Sequence, residues 1–266
     1  MPDPEEEEMA EAMRFQDGES YESMMGVWSA LVGAPFLDWL NISTGAKWAD
    51  VGCGNGASTE LIVGKAKPAL VEAIDPSEAQ LAYARKRHRA GVANFTLGSA
   101  LDLPYPDGAF DVAIMALVLF FVPEPARGVA EMRRVVRGGG KVAAYAWDLE
   151  GGGFPYEDVH AALIEAGVGP LLPPHPEVAR LDELKRLWTD AGLVEVETRE
   201  FTASRAFPSF DAYWLTAAAS PGIGQVLSKL GPEQVEQIRK SAQASRRSGE
   251  LVVQGRAHAV RGRVAG

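Results

Sequence analysis

The amino-acid sequence predicts an α/β protein with a doubly wound, mostly parallel sheet, and two features indicate this fold class. An apolar run ends in the glycine-spaced turn Gly52-Cys53-Gly54-Asn55-Gly56, and a helical pattern begins directly after it. The order strand, glycine turn, helix is the context that a nucleotide-binding loop requires. A second strand-like run, 69–74, then ends at Asp75. An acid at the tip of the second strand, about twenty residues after the turn, is placed to accept hydrogen bonds from a ribose.

The glycine spacing distinguishes two classes of nucleotide site. Dinucleotide sites usually have a third glycine three positions after the second, whereas Gly56 follows Gly54 by two. In addition, Asp50 stands two positions before Gly52. A carboxylate there is unfavourable for a pyrophosphate but suits a ligand that carries an ammonium and a sulfonium group. The spacing therefore favours a sulfonium cofactor over a nicotinamide dinucleotide.

This run resembles the first motif of class I S-adenosylmethionine-dependent methyltransferases, with Asp75 in the position of the ribose-binding acid. The pattern of loops and helices is most similar to the small-molecule branch that includes quinone-biosynthesis methyltransferases. The resemblance implies a Rossmann-like sheet of seven strands, S-adenosylmethionine as cofactor and S-adenosylhomocysteine as its product. It also implies a set of cofactor-binding residues: Asp50, Gly52, Cys53, Gly54, Gly56, Asp75, Pro76, Ser99, Ala100, Leu101, Met115, Tyr21 and Trp28.

Residues 21–45 are predicted to form a helical lid before the first strand. Val32, Phe36 and Leu40 recur at helical spacing, which predicts a helix packed on the edge of the sheet. The stretch from Tyr21 to Trp28 is rich in aromatic residues and Met. Its rings would cover the cofactor, since the face of an aromatic ring attracts a sulfonium cation. The alternative is that these rings belong to the core.

The cofactor-binding half is predicted to span residues 46–148. Ser77 and Gln80 form a capping-box pair that predicts a helix start, and 93–97 is a third strand. In the methyltransferases that this chain resembles, an acid after the third strand receives the adenine amino group. Ser99 stands at that position, so the resemblance implies a neutral and weaker acceptor there.

The fourth and fifth strands complete this half. Residues 110–117 are apolar throughout, as in a strand buried on both faces. Residues 125–137 predict an amphipathic helix that the glycines 138–140 end, and 141–148 predict the fifth strand.

The substrate-side half is predicted to span residues 149–266. A helix over 181–192 and a strand over 194–202 are followed by helical segments from about 207 to 246, and a last strand covers 251–260. The pattern predicts a helical insertion before the last strand. Such segments vary in the family, so they would determine the methyl acceptor.

Composition restricts the function classes. The formal charge of −10 disfavours a nucleic-acid or anionic-membrane partner, and the acidic residues 1–20 predict a flexible N-terminus. Cys53 is the only cysteine, so no disulfide forms within the chain. No signal-peptide pattern or membrane-spanning run is present. The sequence therefore predicts a cytoplasmic monomer or homodimer that acts on a small molecule without inserting into a membrane.

Methyl transfer to a small, apolar or aromatic acceptor requires little from the protein beyond positioning. No catalytic residue is identified; the candidates for a general base are Asp148, His160 and His175. The scattered histidines and the single cysteine predict no metal site. Two other functions remain open at this stage, a nicotinamide-dependent oxidoreductase and a non-catalytic module that binds the cofactor.

Overall fold

The structure is a computed structural model that describes residues 26–87, 91–244, 246 and 251–266. Tyr21, the rest of the predicted lid before Gly26 and the acidic residues 1–20 lie outside the described residues.

The described residues form a seven-stranded sheet with the order β3-β2-β1-β4-β5-β7-β6. The strands are β1 (Lys47–Val51), β2 (Leu70–Asp75), β3 (Ala93–Leu97), β4 (Phe110–Ala116), β5 (Val136–Trp147), β6 (Val194–Phe207) and β7 (Leu251–Arg263). The first five strands are parallel, whereas β7 runs antiparallel between β5 and β6. The predicted doubly wound, mostly parallel sheet is confirmed.

The helices connect the strands in the predicted order. They are α1 (Val27–Leu40), α2 (Ala57–Ala66), α3 (Glu78–Arg87), α4 (Pro125–Val135), α5 (Glu157–Glu165), α6 (Leu181–Asp190), α7 (Phe210–Ala218), α8 (Pro221–Ser228) and α9 (Pro232–Ala244). The last three form the predicted helical insertion before the final strand. Short 3-10 turns cover Leu119–Phe121 and Pro176–Ala179.

Helices cover both faces of the sheet, which explains why its central strands are apolar throughout. Tyr145 of β5 packs against Phe36 of α1, with ring centroids 4.8 Å apart. On the opposite face, a Cβ on Gly262 of β7, which pairs with Val142, would lie 3.0 Å from Trp188 Cδ1 of α6. The face of α1 predicted from Val32, Phe36 and Leu40 is fully buried.

One boundary in the first half differs from the prediction. The helix predicted to reach residue 137 ends at Val135, and β5 begins at Val136, which pairs with Phe110. The glycines 138–140 lie in an irregular stretch at the start of β5, where the register with β4 shifts. A Cβ on Gly140 would lie 2.6 Å from the Asp111 carbonyl oxygen, so close approach of two backbones requires glycine there.

The antiparallel pair β6–β7 extends beyond the parallel part of the sheet. Trp147, the last residue of β5, pairs with Ala257, whereas β6 and β7 continue to pair as far as Phe207 and Leu251. This extension, which we call the β6–β7 arm, carries the insertion α7–α9. It stands beside the carboxyl ends of the parallel strands, where ligands bind in open α/β sheets.

Candidate active site

The glycine turn after β1 uses backbone conformations that favour glycine. The φ angles are +76° at Gly52, +53° at Gly54 and +83° at Gly56, the residue that precedes α2. A Cβ on Gly54 would meet no atom within 4 Å. The backbone of Gly54 therefore borders open space at the carboxyl edge of the sheet, where a ligand has access to it.

Packing requires a glycine at position 52. A Cβ there would lie 2.4 Å from Val118 Cγ1, in the segment that follows β4. The amides of Gly52 and Cys53 both donate to the Ile74 carbonyl at the end of β2, at 2.7 and 3.1 Å. Gly52 thus allows three strand ends to pack closely, and its predicted contact with the cofactor remains a prediction.

Asp75 connects the end of β2 to the glycine turn. One carboxylate oxygen accepts a hydrogen bond from the Gly54 amide at 2.9 Å, and the other accepts from the Ser77 amide at 2.8 Å. Burial raises the pKa of the Asp75 carboxyl, and the two amides partly offset this rise. Each oxygen keeps a second lone pair, so the carboxylate has capacity for two ribose hydroxyls.

Asp50 lies at the end of β1 and is fully buried. One of its carboxylate oxygens accepts hydrogen bonds from the hydroxyls of Ser58 and Thr59, at 2.7 and 2.6 Å. Asp50 therefore fixes the first turn of α2 beneath the glycine loop. The predicted contact with a cofactor ammonium would pass through Ser58, which is half-buried, because Asp50 has no exposed surface.

Cys53 is buried inside the glycine turn and packs with Ala73 and Leu81. Burial raises the pKa of the Cys53 thiol, and the nearby carboxylates of Asp50 and Asp75 raise it further. The thiol is therefore uncharged at neutral pH and behaves as a small apolar side chain.

The loop after β3 presents the residues predicted to contact adenine. Ser99 is exposed, and its hydroxyl oxygen accepts a hydrogen bond from the Leu101 amide at 3.1 Å. Its hydroxyl hydrogen can turn toward an acceptor on a ligand. Pro76 is also exposed, and Ala100 and Leu101 are half-buried. These residues lie beside Asp75 at the carboxyl edge of the sheet, because the Gly98 amide donates to the Asp75 carbonyl at 3.1 Å.

Two charged residues of α4 hold the loop after β3 in place. Arg134 donates to the carbonyls of Leu103 and Tyr105 at 2.9 and 2.8 Å, and Glu131 accepts from the Leu103 amide at 2.9 Å. The hydrogen bond from Arg134 lowers the pKa of Glu131. The sequence analysis missed both residues, because charges in an amphipathic helix usually face solvent.

Two residues that were predicted to bind the cofactor have side chains buried in the core. Trp28 is fully buried; its Nε1 donates to the Tyr156 hydroxyl at 3.3 Å, and its ring meets Trp147 edge to face. Met115 is fully buried, and its Cε would lie 3.3 Å from a Cβ on Gly128 of α4. Neither side chain has exposed surface for a cofactor. The lid that was predicted around Tyr21 remains a prediction.

Each candidate for a general base is engaged in a structural interaction. Asp148 accepts from Arg256 Nη2 at 2.6 Å and from the Gly151 amide at 2.9 Å. His160 is buried and accepts a hydrogen bond from the Leu171 amide at 2.8 Å through Nε2. That bond occupies the lone pair of Nε2, so His160 holds the segment after α5 through this nitrogen.

His175 holds another pair of segments together. Its backbone amide donates to the Phe120 carbonyl, and its Nε2 lies 3.1 Å from the Pro123 carbonyl oxygen. Because a carbonyl only accepts, Nε2 carries the proton. His175 therefore links the loop after α5 to the segment after β4, and no base is available on Nε2.

Aromatic side chains gather beside the carboxyl end of β5. We call Trp28, Trp147, Phe154, Tyr156 and Tyr213 the aromatic cluster. Tyr156 and Tyr213 stack with centroids 5.3 Å apart, and Phe154 meets Tyr156 edge to face at 5.8 Å. Phe154 is half-buried, whereas the other four rings are buried. The cluster joins α1, the segment after β5 and the insertion.

Hydrogen bonds among three polar side chains connect the insertion to this cluster. The Tyr213 hydroxyl and Arg246 Nε both donate to the Asp158 carboxylate of α5. Burial raises the pKa of Tyr213, and the charge of Asp158 raises it further. No spacing in the sequence connects these three residues, and the sequence analysis missed them.

Leu117 was also missed, although it directly follows β4. Its φ of +61° is in the left-handed region, which costs a leucine about 1–2 kcal/mol. Its amide donates to the Tyr145 carbonyl at 2.8 Å. Strained backbone conformations cluster at active sites, but Asn41, Lys67 and Glu195 also have positive φ away from the carboxyl edge, so the angle alone does not assign a function to Leu117.

The described residues fit S-adenosylmethionine. The open face of Gly54 allows the backbone to contact a ligand, the Asp75 carboxylate retains acceptors for a ribose, and the exposed Ser99 loop borders the adenine side. This sheet topology and this edge define the class of S-adenosylmethionine-dependent methyltransferases.

Comparison with known proteins agrees with this class. The methyltransferase domain family matches residues 49–144. Demethylmenaquinone methyltransferase of Symbiobacterium thermophilum is 29% identical over 224 residues, which are 74% of this chain and 89% of that protein. Methyltransferase GfsG of Streptomyces halstedii is 30% identical over 213 residues, which are 76% of this chain and 69% of that protein.

A solved structure shares the fold. Phosphoethanolamine N-methyltransferase 2 of Haemonchus contortus, solved in complex with S-adenosylmethionine, superposes with a TM-score of 0.56 at 13% identity, covering 88% of this chain and 52% of that one. The chain belongs to the methyltransferase domain family. It is an S-adenosylmethionine-dependent methyltransferase, and the nicotinamide alternative has no support.

In the part of the chain that the structure describes, no group of three or more His, Cys, Asp or Glu side chains is arranged to hold a metal ion. No helix among the same residues has the length and apolar character needed to cross a membrane.

Proposed function

We propose that this enzyme methylates a small, apolar or aromatic molecule that binds beside the aromatic cluster, at the carboxyl ends of β4 and β5. The observation that supports this proposal is the aromatic cluster beside the carboxyl end of β5, in which the half-buried ring of Phe154 is backed by four buried rings. Apolar and aromatic walls with few polar groups are typical of small-molecule sites.

The relatives support the same class of acceptor. One is named for demethylmenaquinone, an aromatic quinone-type acceptor. The net charge of −10 supports a small molecule rather than nucleic acid. We further propose that the protein is cytoplasmic, acts as a monomer or homodimer and has one methyltransferase domain over residues 21–266 after the acidic residues 1–20.

The cofactor supplies a methyl group on a sulfonium, which is already a good leaving group. In the proposed complex, Asp75 holds the ribose hydroxyls, Gly54 provides a backbone without a side chain, and the loop at Ser99 borders the adenine. Asp50 keeps α2 and the glycine turn in position through Ser58 and Thr59. The task of these residues is to orient the reacting methyl group.

Catalysis mainly by proximity and orientation is consistent with the three candidate bases. Asp148, His160 and His175 each hold backbone or an arginine. Holding two reactants in line contributes up to about 7–11 kcal/mol without proton transfer. An acceptor that is acidic, or already carries a nucleophilic carbon, nitrogen or oxygen, would need no general base.

An acceptor panel tests this function. The enzyme would be incubated with S-adenosylmethionine labelled in its methyl group and with hydroquinones, phenols, polar amines and amino acids. We expect label in the hydroquinone or phenol products. Transfer only to polar amines or amino acids, or to no member of the panel, would contradict the proposed acceptor class.

Calorimetric titration tests the cofactor separately. S-adenosylmethionine and S-adenosylhomocysteine should bind, whereas NAD should not, because the glycine spacing and the adjacent acid do not suit a pyrophosphate. Binding of NAD alone would contradict the assigned roles of Gly54 and Asp75.

A further inference from the structure

A loop without helix or strand follows β3 at the carboxyl edge of the sheet. It spans residues 98–109, between the end of β3 and the start of β4. One end is anchored on β2, where the Gly98 amide donates to the Asp75 carbonyl at 3.1 Å. Residues 99–102, which come next, are exposed or half-buried. Fixing such a segment costs conformational entropy, so it keeps one conformation only if its other end is also held.

The second anchor is formed by Glu131 and Arg134 of α4, which we call the α4 clamp. Arg134 Nη2 donates to the Leu103 carbonyl at 2.9 Å, and Nη1 donates to the Tyr105 carbonyl at 2.8 Å. The same guanidinium donates to both carboxylate oxygens of Glu131, through Nε and Nη2 at 2.8 Å. Glu131 in turn accepts from the Leu103 amide at 2.9 Å. The clamp therefore binds both backbone groups of Leu103, directly after the exposed residues.

The clamp uses every donor of the guanidinium. Nη1 also donates to the Asp107 carboxylate at 2.9 Å, so the five N–H groups of Arg134 have five acceptors. A lysine would retain the charge beside Glu131. However, its three donors are on one nitrogen and cannot reach two carbonyls and a carboxylate in this planar arrangement. The geometry therefore requires arginine, whereas an ion pair within a helix does not.

We propose that Arg134 is a positioning residue for the cofactor, because it holds residues 99–102 in the conformation that binds adenine. This assignment rests on the proposed function, in which the loop at Ser99 borders the adenine. Residues 99–102 lie between the anchors at Gly98 and Leu103, so fixing both ends leaves them few conformations. Within this span, the Leu101 amide donates to the Ser99 hydroxyl oxygen at 3.1 Å. Arg134 acts on the cofactor through Leu103 and Tyr105.

Loss of the clamp should affect only ligands that gain affinity from the loop. When a loop adopts its binding conformation for part of the time, the apparent affinity of a ligand that needs this conformation falls accordingly. S-inosylhomocysteine provides the comparison, because an oxygen replaces the amino group of adenine and the neighbouring ring nitrogen carries a proton. Both hydrogen-bonding groups at that edge of the base are thereby reversed. This ligand should gain little from an ordered loop and lose little when the loop is released.

Arg127 and Glu124 provide a matched control on the same helix. They have the same i, i+3 spacing as Glu131 and Arg134, with Arg127 Nη1 at 3.2 Å from Glu124 Oε1. Among the described residues, Glu124 is the hydrogen-bond partner of the Arg127 guanidinium. Arg127→Lys therefore changes an arginine of an α4 ion pair without changing the hold on the loop.

Calorimetric titration of the full chain with the two ligands tests the proposal. The parent protein should prefer S-adenosylhomocysteine over S-inosylhomocysteine by about three- to tenfold, the range of one neutral hydrogen bond. Arg134→Lys should weaken S-adenosylhomocysteine by about the same factor and leave S-inosylhomocysteine nearly unchanged, so the preference disappears. Arg127→Lys should leave both dissociation constants unchanged.

Hydrogen exchange gives a second measurement. Without ligand, the amides of residues 98–109 should exchange faster in Arg134→Lys than in the parent protein, and the amides of the glycine turn 52–56 should not. S-adenosylhomocysteine should restore part of the protection. If Arg134→Lys does not fold, as judged by circular dichroism, Glu131→Gln takes its place. That variant keeps an acceptor for the Leu103 amide but removes the charge, so the same selective loss of S-adenosylhomocysteine affinity is expected.

Two outcomes would overturn the role of Arg134 and leave the proposed function intact. In one, Arg134→Lys binds both ligands as the parent protein does. In the other, it weakens both ligands equally, which means that the clamp contributes only to the fold. If the parent protein itself does not distinguish the two ligands, the loop at Ser99 does not recognise adenine. In that case the proposed border of the adenine fails, and the role of Arg134 fails with it.

Discussion

Replacement of Asp75 by alanine should weaken cofactor binding strongly. The substitution removes the carboxylate that we assign to the ribose hydroxyls. It also removes the acceptor for the Gly54 and Ser77 amides, so the glycine turn loses its connection to the end of β2. Both effects act on the same edge of the sheet and in the same direction.

The size of the effect follows from the number of hydrogen bonds. A hydrogen bond to a charged group contributes about 1.5–3 kcal/mol, and the two carboxylate oxygens of Asp75 each have one lone pair left for a ribose hydroxyl. Allowing for water that replaces the side chain, we expect a loss of about 2–4 kcal/mol, which is about 30- to 1000-fold in the dissociation constant.

The binding should also depend on pH. Burial raises the pKa of Asp75 in the free protein, whereas bound ribose hydroxyls would favour the ionised carboxylate and lower that pKa. Affinity should therefore be constant above the pKa of the free protein and decrease as the pH falls through it. Asp75→Asn, which does not titrate, should remove this dependence.

Calorimetric titration with S-adenosylhomocysteine over a range of pH measures both effects, and Asp111 provides the control. Its carboxylate accepts from the Lys47 amide at 2.7 Å and from Arg137 Nε at 2.6 Å, at the opposite end of the sheet. Asp111→Ala should leave affinity unchanged. Parent-like binding by Asp75→Ala, or an equal loss in both alanine variants, would refute the assignment of Asp75 to the ribose.

Three further predictions concern single positions. Gly54→Val should reduce cofactor affinity at least about tenfold in calorimetric titration. Gly45→Val, at another open glycine with positive φ, should lower the melting temperature as much as Gly54→Val does but leave cofactor affinity unchanged. Equal losses of affinity in the two variants would indicate a general backbone effect. Ser99→Ala should cost about 1 kcal/mol of cofactor binding and Ser99→Asp should retain it or improve it; a much weaker aspartate variant in the same titration would mean a different adenine pocket. Desolvation raises the pKa of Asp111, but the hydrogen bonds from Lys47 and Arg137 outweigh this effect, so the pKa is lowered overall. The ionised Asp111 therefore stabilises the fold above about pH 4, and this stabilisation is lost as the pH falls further. Denaturant titrations should show that Asp111→Asn removes this part of the acid sensitivity, and an unchanged pH profile of stability would contradict the prediction.

The sequence predicted the elements whose signals are local. The glycine turn and Asp75 are separated by one helix, and their residue types indicate both a backbone requirement and a ligand. The insertion before the last strand was recognised from proline and glycine breaks. The end of α4 was not recognised, because Val136 pairs with Phe110 of β4 instead of continuing the helix. A helical sequence pattern does not show where pairing with a distant strand replaces the helix.

The roles of single side chains were harder to predict than the fold. Trp28 is buried because Tyr156 and Trp147, more than one hundred positions away, enclose it. His160 holds the segment after α5 because the Leu171 amide donates to its Nε2. Each role depends on a contact that exists only in the folded chain. The residue type alone is equally compatible with the predicted cofactor-binding or catalytic role.

The position of β7 has a consequence for synthesis of the protein. β7 follows β6 in the chain but lies between β5 and β6 in the sheet, so β6 has no strand to pair with until residues 251–263 have left the ribosome. A nascent chain that ends within the insertion therefore exposes a long unpaired strand, and β5 has an open edge. Such an intermediate is the point at which ribosome pausing or chaperone binding would have the largest influence on the yield of folded enzyme.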